Sequence, residues 1–387
     1  MHSFTFHNPT KIYFGKQAIQ HLPEELKKVG TNILFVYGGG SIKSNGIYEE
    51  VVKIGQQAGK NLVELAGVMP NPRTEKVYEG IQLCKEYAID FILAVGGGSV
   101  IDCAKAIAVG AKTEKDFWET FYVKQEQAKE ALPLGTVLTL SATGTEMNPH
   151  TVISHRATHT KHGYSSDLLF PVFSVLDPTY TYSLPADQTA YGAVDILAHV
   201  FEQYFSLPDE DNVSDNLSEA VMRSVIDSVE VAIREPQNYS ARSNLMRAST
   251  MALNTLIGMG KEQDWSSHAI EHALSGLYDI PHGAGLAIVF PAWMKYVYKA
   301  GLKKFVRYAK NIWWIGMEGG TDEAIALEGI ELTKQFFKKI WAPVSLSEVG
   351  IPEGDIGKIA SLRDWGDGGS YKVITEEDVK EILRMAV

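Results

Sequence analysis

Five side chains in the second half of the sequence have the types and spacing of metal ligands. Asp195 and His199 stand four residues apart in the apolar segment VDILAHVFEQYF. His268 and His272 repeat that spacing in SSHAIEHALSG, and His282 follows a proline at a turn. Because residues at i and i+4 lie on one face of a helix, each pair can reach a single ion. The alternative is that each pair forms hydrogen bonds within a core, but the repeated pairing and the additional histidine favour a divalent metal.

A second histidine-rich segment competes with this assignment. His150, His155, His159 and His162 lie in polar, threonine-rich sequence. The alternation of polar and apolar residues predicts an exposed hairpin over 151–166, where the i+4 spacing does not bring side chains together as it does on a helix. We therefore expect these four histidines to be solvated.

Two glycine turns follow predicted strands in the first half of the chain. The strand at 91–95 runs into GGGS at 96–99 and then into a helical pattern, and the strand at 32–37 runs into GGGS at 38–41. Backbone N–H groups at such a helix start attract phosphate, and glycines let it approach the backbone. The spacing is not G-x-G-x-x-G, and a turn without a ligand is the alternative for either one alone. Two such turns at the carboxyl ends of strands in one sheet favour a dinucleotide.

The first of these turns bears on which dinucleotide binds. NAD-selective sites commonly hold an acidic side chain at the adenosine ribose. Gly38, Gly39 and Ser41 include no acid, and Lys43 follows them closely. A hydroxyl, backbone N–H groups and a lysine could all donate hydrogen bonds to a 2′-phosphate. The alternative is that Lys43 is an ordinary solvated lysine. We expect NADP(H) to be favoured, with NAD(H) as the alternative.

The periodicity of the sequence changes near Pro185. Before it, short apolar strands alternate with helical patterns, and the segments 132–140 and 171–178 are predicted as further strands. Such alternation predicts a mainly parallel sheet with helices on both faces, in an α/β domain at 1–185. After it the pattern is almost entirely helical, which predicts an all-α domain at 186–387.

Specific helices are predicted in the second half. The apolar periodicity covers 194–205, 218–235 and 241–260, and the polar segment 206–216 is predicted as a loop. The metal-ligand pairs therefore belong to helices, which supports the i, i+4 argument.

Composition limits the classes of protein to which the chain can belong. With 387 residues, 45% of them apolar, two folded domains are expected. The net charge of −11 argues against a nucleic-acid partner. Two cysteines, Cys84 and Cys103, suit a reducing compartment. The N-terminal segment lacks the pattern of a secretory signal and no apolar run has bilayer length, so a cytoplasmic protein without a membrane partner is expected.

The chain resembles the iron-dependent (group III) alcohol dehydrogenases over essentially its whole length, and within them the butanol dehydrogenase and NADPH-dependent aldehyde reductase branch. The resemblance rests on GGGSVIDCAKA, VLDPTYTYSLP, AYGAVDILAHVFEQY, SSHAIEHALSG and PHGAG. It implies a Rossmann-like dinucleotide-binding domain followed by an all-helical domain, the dehydroquinate synthase-like architecture. It also implies hydride transfer between NADP(H) or NAD(H) and a short- to medium-chain primary alcohol or aldehyde such as butanol or butanal, and a homodimer formed through the N-terminal edge.

The resemblance implies a metal centre residue by residue. The ligands would be Asp195, His199, His268 and His282. His272 would lie near the substrate without binding the ion. His272 is a candidate for proton relay, with a hydrogen-bonding support of the site as the alternative. Four protein ligands fill a tetrahedral shell, so an ion that accepts five or six is easier to reconcile with a substrate, which favours Fe²⁺ over Zn²⁺. The ion would act as a Lewis acid toward the substrate oxygen.

The resemblance implies a cofactor site as well. The residues expected against the pyrophosphate, the ribose or the nicotinamide, with Asp102 also a catalytic candidate, are Gly97, Gly98, Ser99, Asp102, Thr139, Thr143 and Lys161. Two departures from the family pattern are informative. Leu140 replaces a hydroxyl in the threonine-rich loop, and Gly38 stands where NAD-using relatives carry an aspartate.

Other functions remain as alternatives. A glycerol or polyol dehydrogenase of the same superfamily shares the two-domain plan, whereas a dehydroquinate synthase-like cyclase would need a basic pocket that the motifs do not contain. A non-catalytic nucleotide- or metal-binding sensor would keep the glycine turns without turnover. Phe117, Trp118, Trp265 and Tyr278 either line a substrate pocket or belong to the core.

Overall fold

The computed structural model describes most of the chain as two compact units. The described residues are 1–209, 212–316, 320–366 and 368–387. The first unit, here the sheet unit, comprises His7–Leu184 and Pro236–Met246. The second, the helical unit, comprises Met1–Phe6, Pro185–Glu235 and Arg247–Val387. The units meet in sequence at the predicted boundary near Pro185, but residues 1–6 and 236–246 each belong to the unit opposite to the one expected.

The sheet unit is built on parallel strands. Its strands, within the described residues, are β1 (Lys11–Phe14), β2 (Asn32–Tyr37), β3 (Asn61–Leu65), β4 (Phe91–Gly96), β5 (Leu134–Leu138), β6 (His150–His155), β7 (Thr160–Ser165) and β8 (Phe173–Leu176). Six form one sheet in the order β1-β8-β5-β4-β2-β3, in which every neighbouring pair is parallel. Strands β6 and β7 form a separate antiparallel pair. The predicted α/β architecture is confirmed, as is the hairpin.

Strands β2 and β4, in the interior of the sheet, are almost entirely apolar because both faces of the sheet are covered. Leu34 and Val36 of β2 point into a core on one face, and Ile33 and Phe35 point into a core on the other. Such two-sided burial is typical of parallel sheets flanked by helices. The edge strand β3 is only partly buried and carries Glu64, so its short mixed pattern was not recognised in the sequence.

Helices complete both units. The α-helices in the described residues are α1 (Leu22–Leu26), α2 (Ser41–Ser44), α3 (Ile47–Gln57), α4 (Thr74–Glu86), α5 (Gly98–Gly110), α6 (Ala186–Tyr204), α7 (Val213–Arg234), α8 (Tyr239–Ala252), α9 (Ser266–Tyr278), α10 (His282–Val297), α11 (Leu302–Trp313), α12 (Asp322–Lys339), α13 (Ile356–Ala360) and α14 (Glu376–Arg384). Short 3₁₀ turns and a π-helical turn at Trp118–Val123 connect several of them. None of these helices combines the length and the apolar character required to cross a bilayer.

The predicted helices are present, but two boundaries differ from the predictions. Helix α6 contains the predicted segment 194–205 except Phe205, and α7 contains 218–235 except Glu235. The predicted helix over 241–260 is wrong beyond Ala252, where the chain turns and Thr255 adopts a positive φ of 74°. Of the loop predicted over 206–216, residues 210 and 211 lie outside the described part of the chain, and α7 already begins at Val213.

Candidate active site

Helix α6 carries a polar stripe on an otherwise apolar, buried surface. Asp195, His199 and Glu202 occupy positions i, i+4 and i+7, so their side chains lie along one face. Their exposed fractions are 3%, 5% and 0%. Three polar side chains at this depth need partners, because burial of a polar group without a hydrogen bond or a counter-charge is costly.

Helices α9 and α10 bring further histidines to this stripe. His268 lies in the first turn of α9, and His282 is the first residue of α10, directly after Pro281. Gly283 is required for the close approach of α10 to α6, because a Cβ at this position would lie 2.2 Å from the carbonyl oxygen of Tyr191. The PHGAG motif is therefore explained by packing at the site.

The predicted metal ligands form one cluster in the helical unit. Ligand atoms of Asp195, His268 and His282 all lie within 4.8 Å of one another. The Oδ1 of Asp195 is 3.6 Å from the Nε2 of His282 and 3.6 Å from the Nδ1 of His199. His199 is outside that closest set, but its ring stacks on His268 with a centroid separation of 4.9 Å. The four residues meet although they come from three helices.

His272 lies beside the cluster. Its ring centroid is 5.6 Å from that of His282 and 6.4 Å from that of His268. It belongs, with Glu271 and His282, to a second set of close ligand atoms. His272 is half-buried, whereas His268 is buried. This position suits a group next to a metal centre more than a residue of the closed core.

Two glutamates behind the histidines have roles that the sequence reasoning missed. Glu202 accepts a hydrogen bond from the Nδ1 of His268 at 2.7 Å, and Glu271 accepts one from the Nδ1 of His282. Burial raises the pKa of Glu202 to about 8, and the backbone N–H groups of His268 and Trp265 oppose that rise. The sequence did contain a signal for Glu202, because it is a charged residue one turn beyond His199 inside an apolar helix.

The donor set fits a divalent cation. One carboxylate and several imidazoles, buried together, are ligands that suit zinc and ferrous iron. Asp264 adds to the negative character of the surroundings, and burial together with the charge of Glu202 raises its pKa to about 7. A cation at the cluster would offset the cost of burying these carboxylates.

The sheet unit presents both glycine turns at one edge of its sheet. Strands β2 and β4 are parallel neighbours, with Tyr37 opposite Val95 at their carboxyl ends. From β2 the chain passes to β3 on one side, whereas β4 and β5 lie on the other side, so the strand order reverses between β2 and β4. Ligands of open α/β sheets bind outside the carboxyl ends of the strands at such a point.

The second turn has the backbone geometry that a phosphate needs. The first helical hydrogen bonds of α5 run from the N–H groups of Val100 and Ile101 to the carbonyl of Gly97. The N–H groups of Gly98 and Ser99 therefore precede the helical ladder and are the orphan donors of a helix N-terminus. A Cβ on Gly98 would lie 2.6 Å from the Oγ1 of Thr143.

The threonine-rich loop packs against this turn. Thr139 donates its N–H to the carbonyl of Gly96 at 3.0 Å. A Cβ on Gly97 would lie 3.1 Å from the Cβ of Leu140, so the leucine that replaces a hydroxyl here packs against the glycine turn. The predicted cofactor residues of the loop and of the turn are therefore adjacent.

Asp102 connects helix α5 to the loop and the hairpin. Its Oδ1 accepts from the hydroxyl of Thr145 at 2.7 Å, and its Oδ2 accepts from the N–H of Val152 at 2.9 Å. Burial raises the pKa of Asp102, while Lys105 and Thr145 oppose the rise. Both carboxylate oxygens are thus engaged within the unit, an arrangement that favours positioning of the loop.

Lys105, one turn further along α5, is a site residue that the sequence reasoning missed. Its Nζ is fully buried and donates to the carbonyl oxygens of Thr145, Asn148 and His150 at 2.7, 2.8 and 2.9 Å. Burial lowers the pKa of Lys105 to about 7, and the charge of Asp102 opposes the fall. Lys105 fixes the course of the loop that follows β5.

The two lysines predicted at the cofactor have defined partners. Lys161 donates to the Oδ1 of Asn71 at 3.1 Å, and its charge acts to lower the pKa of Asp102. The Nζ of Lys43 lies 4.5 Å from the ring centroid of Tyr48. Residue Glu64 accepts hydrogen bonds from the hydroxyls of Tyr48 and Tyr37, which brings a negative charge close to Lys43.

The hairpin histidines are less solvated than predicted. His159 is exposed, but His155 and His162 both stack on Trp118, with centroid separations of 5.2 and 5.3 Å. Burial lowers the pKa of His150 to about 4. The prediction of a solvated cluster is therefore wrong for three of the four. No hairpin histidine belongs to a group of close metal-ligand atoms in the part of the chain that the structure describes.

The aromatic residues considered for a substrate pocket divide between core and site. Phe117 and Trp118 are buried in a core of the sheet unit. Tyr278 donates its hydroxyl to Asp355. Trp265 alone of the four neighbours the metal cluster, with its ring 5.1 Å from that of His268.

The chain is similar to known proteins over its whole sequence and in its fold. The profile of a family described as iron-containing alcohol dehydrogenase matches residues 9–178, and the profile of its C-terminal region matches 189–387. The probable NADH-dependent butanol dehydrogenase 1 of Bacillus subtilis is 45% identical over 388 residues and covers 100% of each chain. The NADPH-dependent aldehyde reductase of Escherichia coli is 39% identical, covering 92% of this chain and 91% of its own. The crystal structure of an NADH-dependent butanol dehydrogenase A from Thermotoga maritima superimposes with a TM-score of 0.95 at 45% identity, covering 100% and 99% of the two chains.

Proposed function

The chain belongs to the iron-containing alcohol dehydrogenase family, and from that membership we propose that it transfers a hydride between a nicotinamide dinucleotide and a short- to medium-chain primary alcohol or its aldehyde. Butanol and butanal are the substrate pair that the names of its relatives suggest. The observation that carries the proposal is the cluster of the buried Asp195 and His268 with the half-buried His282, whose ligand atoms lie within 4.8 Å of one another.

The metal ligands of this proposal are Asp195, His199, His268 and His282, with Fe²⁺ favoured and Zn²⁺ as the alternative. When bound, the ion supplies Lewis-acid polarisation of the substrate oxygen. The protein holds the donors in a buried setting, where electrostatic interactions are stronger than in water. His272 lies at the half-buried margin of the cluster and is the candidate for moving a proton to or from the substrate oxygen.

The cofactor is proposed to bind along the carboxyl edge of the sheet. The N–H groups of Gly98 and Ser99 would donate hydrogen bonds to the pyrophosphate, and the turn from Gly38 to Ser41 would face the adenosine ribose. Thr139, Thr143 and Lys161 complete the proposed set, while Asp102 is proposed to position the loop that contains the two threonines.

We propose NADP(H) as the preferred cofactor. Lys43 and the absence of a carboxylate from the turn after β2 support this choice. Two observations oppose it: Glu64 lies near the charge of Lys43, and the Bacillus subtilis relative is named as NADH-dependent. A kinetic comparison of the two nucleotides is therefore part of the test.

A cytoplasmic homodimer is proposed for the assembly. Strand β1 lies at the edge of the sheet, and Phe14 at its end is 43% exposed. An exposed edge strand is a template for pairing with another chain. Light scattering coupled to size-exclusion chromatography should give twice the mass of the 42.7 kDa chain, and a monomer mass would contradict the proposal.

The experiment that tests the function is a set of initial rates on enzyme reloaded with Fe²⁺. NADPH and NADH oxidation are measured with butanal as acceptor, and NAD⁺ reduction is measured with glycerol. Turnover with butanal that is lost in His268→Ala supports the proposal. Turnover confined to glycerol would favour a polyol dehydrogenase, and nucleotide binding without any turnover would favour a sensor.

A further inference from the structure

Two buried carboxylates lie directly behind histidines of the metal cluster. Glu202 on α6 and Glu271 on α9 are both 0% exposed. Glu202 accepts a hydrogen bond from the Nδ1 of His268, and Glu271 accepts one from the Nδ1 of His282. A bound cation would keep both carboxylates ionised, and an ionised carboxylate can only accept, so each Nδ1 would then carry the proton. Each neutral imidazole is thereby fixed as the tautomer whose lone pair is on Nε2.

In each of the two histidines, Nε2 is the nitrogen available to a metal ion, and it faces the cluster. The Nε2 of His282 lies 3.6 Å from the Oδ1 of Asp195. His268 contributes to the same set of ligand atoms within 4.8 Å. Both rings are therefore held between an outer carboxylate on one side and the proposed ion position on the other.

The outer carboxylates are themselves held in place. Glu202 accepts the backbone N–H groups of Trp265 at 2.7 Å and of His268 at 3.0 Å, so it caps the start of α9 as well as its histidine. Glu271 packs against Gly285, where a Cβ would lie 2.7 Å from its Cγ. Gly285, the second glycine of PHGAG, thus leaves space for the carboxylate of Glu271. That carboxylate reaches His282 at the start of α10.

We propose that Glu202 and Glu271 are positioning residues of the metal centre, which set the tautomer and the ring orientation of His268 and His282 and increase the basicity of their Nε2 atoms. This inference rests on the proposed function, because it takes the two histidines as ligands. A carboxylate behind a histidine ligand commonly strengthens metal binding in this way. With Asp195, the two glutamates place three carboxyl groups at the cluster, a setting that favours a divalent over a monovalent cation.

The test measures metal affinity and coordination instead of turnover. The full-length protein is stripped with a chelator and titrated with Co²⁺, whose d–d absorption reports the number and geometry of its ligands. The affinity is obtained by competition with a chelating dye. Glu271→Ala is expected to weaken Co²⁺ binding by about 10- to 100-fold, the range known for such partners. Glu271→Gln and Glu202→Gln keep an acceptor oxygen but lose the charge. They should therefore weaken Co²⁺ binding less than Glu271→Ala does.

A matched control separates this role from a general effect of removing a buried carboxylate. Glu219 is 4% exposed, and its partners are Tyr204, Arg307 and Asn311, none of which is a proposed ligand. Glu219→Gln should leave the Co²⁺ affinity and spectrum unchanged, although it lowers the thermal midpoint of the metal-free protein. Glu271→Gln should weaken Co²⁺ binding and change the Co²⁺ spectrum, whereas Glu219→Gln should do neither even if the two variants lose a similar amount of thermal midpoint.

The outcomes distinguish this inference from the function on which it rests. Wild-type affinity and an unchanged Co²⁺ spectrum in Glu271→Ala, Glu271→Gln and Glu202→Gln would overturn the positioning role and leave the metal centre intact. A wild-type protein that takes up no Co²⁺ would overturn the metal centre itself. Weaker binding in the glutamine variants with an unchanged control supports the inference even if Glu271→Ala does not fold.

Discussion

If NADP(H) is the preferred cofactor, as proposed, the charge of Lys43 should strengthen binding of the 2′-phosphate at the first glycine turn. Lys43 is expected to lower the KM for NADPH through a charge-assisted hydrogen bond to the phosphate. Lys43→Ala should raise that KM by about tenfold, which corresponds to about 1.4 kcal/mol, and should leave the KM for NADH unchanged. The measurement is a pair of saturation curves with butanal as acceptor.

A second lysine in the same unit provides the control for that variant. Lys53 lies exposed on α3, so Lys53→Ala removes the same charge without touching the glycine turn. It should change neither KM. If Lys43→Ala altered the KM for both nucleotides equally, Lys43 would have no part in choosing between them.

Single residues account for most of what the sequence could predict about the site. Helical spacing of aspartate and histidine in apolar sequence indicated a metal site with five candidate ligands, and the resemblance to the family reduced these to the four proposed ligands. Glu202 and Glu271 were not identified, because their roles depend on which histidine nitrogen they face. That information arises only when α6, α9 and α10 pack together.

The approach of helix α10 to helix α6 depends on the absence of a side chain at one position. A Cβ at Gly283 would meet the backbone of Tyr191 at 2.2 Å, and a backbone contact cannot rotate away. Gly283→Ala should therefore displace the start of α10 and with it His282. We expect the variant to lose bound metal and activity and to lose about 1–3 kcal/mol of stability, as overpacked cores do.

The control for Gly283 is another helical glycine in the same unit. Gly357 lies on α13, and a Cβ there would meet no atom within 4 Å. Gly357→Ala should keep the metal content and should not lower the stability, because alanine favours the helix. Metal content by mass spectrometry and urea unfolding check both variants; full metal content in Gly283→Ala would contradict the packing argument.

The buried carboxylate of Glu25 links the edge strand β1 to helix α1 through hydrogen bonds from Lys11 and Tyr13. Burial alone would raise the pKa of Glu25, but hydrogen bonds from Lys28, Tyr13 and Lys11 hold it at about 2. A carboxyl whose pKa is lower in the folded state contributes stability above its unfolded value of 4.5, and this contribution is lost as the pH falls through about 2. The charge should contribute about 1 kcal/mol at neutral pH, since its lysine partners are largely in water.

Glu25→Gln tests this attachment. It should lower the free energy of unfolding at pH 7, and the difference from wild type should shrink as the pH is lowered from about 4.5 toward about 2. Glu24→Gln removes an exposed carboxylate from the same helix and should have almost no effect. A difference between Glu25→Gln and wild type that stayed constant with pH would refute the linkage.

Strands and helices were predicted well where the local hydrophobic pattern of the sequence determines them, and poorly where tertiary packing does. Strand β2 was predicted at its observed bounds, because five consecutive apolar or β-prone residues follow Asn32. Strands β1 and β3 were missed, since short, half-exposed edge strands carry little pattern. The helix predicted to residue 260 ends at Ala252, and nothing in the helical periodicity of the sequence signals the positive φ at Thr255.

At the scale of the whole molecule, metal binding should determine how the helical unit unfolds. An ion that binds only the folded state stabilises it by about 2.7 kcal/mol at a free concentration one hundred times its Kd. Removal of the ion with a chelator should lower the thermal midpoint, and added Fe²⁺ or Zn²⁺ should restore it. His268→Ala should not respond to the chelator. Identical midpoints with and without chelator in the wild type would contradict a metal centre in this unit.

The composition of the two units was the least predictable feature of the molecule. The change of periodicity near Pro185 marks a real junction, but residues 236–246 belong to the sheet unit although they are helical and distant in sequence. Tyr239 in this segment lies with its ring 4.7 Å from the Nζ of Lys16. Such a contact is set by tertiary packing, so no local reading of either segment could have indicated it.

That interleaving of the chain has a consequence for its synthesis. A nascent polypeptide that has just emerged as far as residue 185 lacks the segment 236–246, which completes the sheet unit. More than sixty further residues must therefore be synthesised before this unit contains all its segments, and until then the surface that residues 236–246 cover is open to chaperones. A gene fragment that stops at residue 185 would produce a chain arrested at that stage, so dissection of this enzyme into halves has to begin by appending the missing segment.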